Sequence, residues 1–139
     1  MQTLSSRHSW ILAFGEAPAA LPSAHDTVRV SLALGLSAID GLVTDEAGVG
    51  SVKCCLVHSQ LLVPVESGTA IRWHAPHSVC VSGTPRCAAE GYRRCLALWM
   101  TPPRRGTDPL TAADALHEAL SRTRSRMRTG RGVRQVCRA

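Results

Sequence analysis

From Arg122 to the end of the chain there are seven arginines (Arg122, Arg124, Arg126, Arg128, Arg131, Arg134, Arg138) and no Asp or Glu. Like-charge runs are usually solvated extensions that bind something anionic. The rest, Met1–Ser121, carries nine basic and ten acidic residues, a net charge of −1. The formal +6 of this 139-residue chain belongs to its C-terminal end.

A chain of this length is the size of one domain and can bury a core. Apolar residues make up 45%, too many for a disordered chain. Aromatics are scarce at 4%, so Leu, Val and Ala must build the core, with Trp73 and Trp99 as its largest pieces. Lys53 is the only lysine, a skew that GC-rich coding explains without bidentate arginine chemistry. No window approaches the ~20 apolar residues of a membrane span. Arg7 and the apolar run Trp10–Phe14 imitate a signal peptide, but the run falls short of the roughly 7–15 residues such a segment needs. The expected location is cytoplasmic. The six cysteines (Cys54, Cys55, Cys80, Cys87, Cys95, Cys137) are then expected as reduced thiols.

Three regions are expected: residues 1–24 as an irregular extension, 25–121 as a single α+β domain, and 122–139 as a basic helix end and tail. Asp26–Val30 alternates as a short strand does. Ser31 is placed to cap a helix, in which Leu32, Leu36, Ile39 and Val43 recur at helical spacing with Asp40 and Asp45 facing away. Ser51–Val57 and Gln60–Val65 predict a hairpin turning at His58-Ser59, and Pro64 places the end of its second strand at an edge or beyond the sheet. A short helical piece leads through Trp73, and Pro76 stops it. Ser78–Ser82 reads as a strand, Gly83–Arg94 as a polar loop, and Cys95–Met100 as a central strand. Pro102–Gly106 reads as a connector. Thr111 and Asp114 resemble a capping box, with Leu110 as its hydrophobic staple. Leu116, Leu120, Thr123 and Met127 then mark a helix from about Ala112 to about Arg128, which Gly130 and Gly132 end. This order predicts an α+β fold, a mostly antiparallel sheet of four to five strands with two main helices packed on one face.

Few residue groups carry recognisable chemistry. Arg122, Arg124, Arg126, Arg128, Arg131 and Arg134 could neutralise phosphates and give salt-sensitive, sequence-indifferent binding to nucleic acid or another polyanion. The bland alternative is a solvated helix end, and no aromatic interleaves these arginines to stack a base. His74-x-x-His77-x-x-Cys80, with Cys87 and Cys95 downstream, offers zinc-type ligands at loose spacing without the paired C-x-x-C signature, so no metal site is expected. Cys54 and Cys55 would point to opposite faces of a strand, one buried and one exposed. No G-x-S-x-G turn, phosphate loop or clustered carboxylates occur, so neither catalysis nor a cofactor is expected. The apolar stripe Leu116/Leu120/Met127 could instead pack on a protein partner or a second copy.

Asp26–Val30, Leu34-Gly35-Leu36, Ile39–Leu42, Leu61–Val65, Gly68-Thr69-Ala70, Trp73, Ala75-Pro76, Leu98–Pro103 and Leu110–Leu116 occur in an order that resembles small α+β proteins of high-GC actinobacteria, streptomycetes especially. The likeness spans about residues 25–121. The Gly-Thr-Ala motif, and the succession of strand, Pro-Pro, Leu-Thr and helix, are more distantly similar to part of streptomycete primase/polymerase-like proteins. Such a polymerase needs clustered carboxylates for two metals, and no D-x-D lies on an expected strand. The resemblance thus implies a non-catalytic or regulatory relative. The Arg- and Cys-rich loop Arg86–Cys95, residues 1–24 and the tail fall outside it.

Overall fold

The computed structural model describes residues 10–15, 17–45, 47–83, 85, 95–102 and 109–138, with side chains to residue 128. The elements are β1 (Ile11–Phe14), β2 (Asp26–Ser31), α1 (Leu32–Thr44), β3 (Val52–Cys55), β4 (Gln60–Val65), α2 (Thr69–Arg72), β5 (Ser78–Ser82), β6 (Ala97–Thr101) and α3 (Ala113–Arg138). Six strands form one sheet in the order β1-β6-β3-β4-β2-β5. Every described pairing is antiparallel. The α+β class and the antiparallel sheet match expectation, with six strands rather than four to five, and with the short α2 beside the two long helices.

Strand alternation sorts the sheet into two faces. Val28, Val30, Val52, Cys54, Leu61, Val63 and Val65 join Leu34, Ala38, Ile39 and Leu42 of α1 and Ala113, Leu116, Ala119 and Leu120 of α3 in one core. Leu62 and Cys55, on the opposite face, are also buried. The face of α1 turned inward is Leu34, Gly35, Ala38, Ile39 and Leu42; Leu36 and Val43 only flank the core. A Cβ at Gly35 would collide with Leu61, so glycine lets the helix lie close on the sheet. Ser31 occupies the N-cap position of α1 but makes no side-chain capping bond. It is also the last rung of β2, opposite Gln60.

Several expectations are corrected. Within residues 1–24, Ile11–Phe14 form an edge strand on β6 rather than irregular chain. An apolar run too short to show a period still gains order by completing the open side of β6. Pro64 lies in interior strand β4, opposite Thr27. Its carbonyl accepts the Thr111 N–H at 3.1 Å. In a strand the N–H and C=O of one residue point the same way, so the donor Pro64 lacks would have faced away from β2. The β3 ladder has already ended there, at Leu62, and no rung is lost. The hairpin turns through residues 56–59 rather than a two-residue turn, with Ser59 at φ 54°. β6 is interior, between β1 and β3, but the middle of the sheet is β3–β4. On β5 it is Cys80 that packs against the core, while Val79 is 48% exposed.

The start of α3 also differs. The Thr111 hydroxyl accepts the Gly50 N–H at 3.0 Å, and the Ser51 N–H donates to Pro109 C=O at 3.2 Å. Thr111 therefore ties the approach to α3 onto the start of β3, in place of a capping box. The helix runs past Gly130 and Gly132 to Arg138, although glycine in a helix interior costs about 1 kcal/mol. Thr123, two residues beyond Ser121, is 4% exposed. The loop Gly83–Arg94, with Arg86, Arg93 and Arg94, and the connector beyond Pro102 lie largely outside the described residues.

Candidate functional site

Two places bring chemistry-bearing side chains together. The first is the second half of α3. Arg122 and Arg126, one turn apart, line a cleft with Asp40 and Asp45 of α1. Both acids are exposed, as their outward placement on the helix predicts. Arg122 also approaches Glu118 at 3.8 Å with both side chains more than half exposed, a pair that contributes little to stability. Arg124 points to the other side of α3. It lines a cleft of about 650 Å³ with Arg29, Ser31, Gln60, His77 and Met127 among others, and no carboxylate is in that lining. The Arg124 Nε is buried and has no hydrogen-bond partner among the described residues. Buried donors are nearly always met, so this N–H stands out among the described residues. Arg128 is exposed. Arg131 and Arg134 lie on the same helix, where only the backbone is described.

The second place is one end of the sheet. Cys55 is the last residue of β3, His58 lies in the following turn, and Cys95 precedes β6 by two residues. The β3–β6 ladder sets Cys55 opposite Ala97, and the Leu56 N–H donates to Leu96 C=O at 3.2 Å. These bonds carry Cys95 to the turn. Cys55 Sγ lies 3.3 Å from His58 Nδ1, and Cys95 Sγ lies 3.6 Å from the same nitrogen. All three atoms are within 4.8 Å of one another. None of Cys54, Cys55, Cys80 and Cys95 is in a disulfide.

The cysteines and histidines singled out by spacing go elsewhere. His74, His77 and Cys80 form no such group among the described residues. His74 Nδ1 lies 3.0 Å from the Arg72 carbonyl oxygen, and its ring stacks obliquely on His117 at 4.5 Å. His117 meets Trp73 edge-on at 5.1 Å. Burial pushes the Cys80 thiol up to about 11, with the negative charge of Asp26 adding to it. Cys54 and Cys55 do take opposite faces, yet both are buried, at 2% and 1% exposure. Burial raises the Cys54 thiol to about 11 as well. A cysteine with so high a pKa is a poor nucleophile at neutral pH.

The stripe offered for a protein partner is already used. Leu116 and Leu120 are 0% and 1% exposed within the core, and Met127 packs against it. That reading is corrected: these side chains bind the chain's own sheet and α1. No described helix is long and apolar enough to cross a membrane. Scans against protein-family models, curated proteins and solved structures find no match to this chain.

Proposed function

We propose that this chain is a small cytoplasmic, non-catalytic binding or regulatory module that associates with nucleic acid through the arginines of α3. One observation carries the reading. The inward stripe of α3 runs Leu116, Leu120, Thr123, Met127, and the positions that continue it at helical spacing are Arg131, Arg134 and Arg138. Apolar residues hold the first half of the helix on the sheet, and the same line of positions then becomes basic. At 1.5 Å per residue the helix is about 39 Å long, and its second half carries no carboxylate to neutralise the arginines.

The arginines are not equivalent in this reading. Arg122 and Arg126 share a cleft with Asp40 and Asp45, whereas Arg124 shares its cleft with Arg29 and His77. A phosphate entering that cleft would meet two positive side chains in its lining, Arg29 and Arg124, and no carboxylate. Charge-assisted bonds of this type are the strong ones. They position a backbone without reading a sequence.

The test is fluorescence anisotropy of labelled duplex DNA and of single-stranded RNA at two salt concentrations. Cutting the chain at residue 121 would remove buried Thr123, so charge-removing variants are the cleaner probe. We expect wild-type affinity to fall steeply with salt. In Arg128→Gln/Arg131→Gln/Arg134→Gln the log–log salt slope on duplex should drop by about 0.9 for each phosphate that is no longer neutralised. Absence of binding at low salt, or a triple variant that binds like wild type, refutes the proposal.

A further inference from the structure

We propose that Cys55, His58 and Cys95 form a zinc site that fastens the β3–β4 turn to the start of β6. Zinc bonds of about 2.3 Å to sulfur and 2.0–2.1 Å to nitrogen at tetrahedral angles require S···N separations of ~3.6 Å and an S···S separation of ~3.8 Å. The observed S···N separations are 3.3 and 3.6 Å, and the sulfurs lie within 4.8 Å of each other. An ion is thus accommodated by side-chain adjustments of an ångström or less. Two sulfurs and an imidazole select zinc over calcium or magnesium, which require oxygen; no carboxylate belongs to the group.

The surroundings suit a bound ion. Cys55 is 1% exposed, His58 is half-buried and Cys95 is exposed, so one ligand is anchored in the protein and the ion has a route from solvent. Binding converts two thiols to thiolates and releases two protons to water, and the charge of the two sulfurs cancels that of Zn²⁺. Affinity must then rise with pH through the thiol range. Three protein ligands leave one tetrahedral position for water or another donor. None of its ligands lines the arginine clefts, although Cys55 pairs with Gln60, a residue of the Arg124 cleft.

The experiment uses full-length protein, reduced and stripped of metal by a chelator. Zn²⁺ is titrated in competition with a chromophoric chelator, and Co²⁺ is added separately as a spectroscopic probe. We expect one tightly bound ion per chain. Cobalt should give thiolate charge-transfer bands and the intense visible bands of tetrahedral coordination. Cys95→Ser changes an exposed residue and His58→Gln a turn residue, so both variants should fold. Each should weaken Zn²⁺ binding by about 100-fold or more and dim the cobalt spectrum. Cys80→Ser, outside the group, should leave both unchanged. Wild-type protein with no site tighter than about 1 µM overturns the proposal. So do Cys95→Ser and His58→Gln proteins that bind like wild type, or a mass two hydrogens lighter that maps to a Cys55–Cys95 disulfide under reducing conditions.

Discussion

Replacing Asp26 tests how the sheet holds α2 in place. One carboxylate oxygen accepts the Gly68 N–H at 3.0 Å and the Ala70 N–H at 2.8 Å, and the residue is 4% exposed. A hydrogen bond to a charged group contributes about 1.5–3 kcal/mol, and stranding buried donors costs desolvation energy besides. Both bonds share one oxygen, so they do not add fully. Asp26→Ala should cost about 3 kcal/mol. Asp26→Asn keeps a carbonyl oxygen in the same place and loses only the charge assistance, so it should cost about 1 kcal/mol. With a urea m-value near 2 kcal/mol/M, the midpoints fall by about 1.5 M and 0.5 M. A second readout follows the same change. The Cys80 thiol is held near 11 first by burial and then by the Asp26 charge. In Asp26→Asn it should titrate lower, but still above the ordinary 9.0 because burial remains. NMR of ¹³C-labelled cysteine against pH measures it. An alanine variant within about 0.3 M of wild type, or a Cys80 titration that Asp26→Asn leaves unmoved, refutes this account.

Three further outcomes are expected. Gly50→Ala drives a Cβ into the Pro109 carbonyl and the Leu110 amide, which are backbone and cannot swing aside; thermal unfolding should show a loss of about 10 °C, equivalent to about 3 kcal/mol. Leu116→Ala empties a fully buried site between α3 and the sheet and should cost about 2–5 kcal/mol by urea titration with an unchanged m-value. Stability should fall at alkaline pH. The folded state keeps the Cys54 proton to about 11 while the unfolded thiol releases it near 9.0. The contribution is complete below pH 9 and is lost as pH rises towards 11, at up to about 1.4 kcal/mol per pH unit. Urea midpoints of Cys54→Ala across that window should decline less than those of wild type.

Much of this fold is legible in the sequence wherever a segment buries one face. β2, β4, β5 and β6 announce themselves by alternation or by apolar runs, and α1 and the first half of α3 by spacing. What periodicity misses depends on partners far along the chain. Ile11–Phe14 carries no alternation because all four residues stay exposed, and it is a strand only because β6 has an open side. Pro64 reads as a strand breaker until Thr111 supplies the reason its missing donor is harmless. The inward face of α1 includes Gly35 as well as Leu34, Ala38, Ile39 and Leu42, and a side chain at Gly35 would meet Leu61. The cysteine–histidine group shows the same limit. Cys55 and His58 are close in sequence, but Cys95 reaches them only through the β3–β6 register, so a search for ligand spacing settles on His74, His77 and Cys80. The arginine-rich end of the chain, by contrast, is visible at once, because charge needs no partner to be counted.

The position of β1 bears on the order in which this molecule comes apart. It is joined to the sheet by one ladder, to β6 alone, and its side chains bury little. β4 is flanked on both sides and buried along nearly its whole length. Amide hydrogens on β1 should therefore exchange through a local peeling that costs far less than global unfolding, and those on β4 only when the whole domain opens. Each peeling event bares the outer side of β6 and leaves the sheet for a moment with a new, longer edge. Peeling of β1 is thus a change of border around an intact interior.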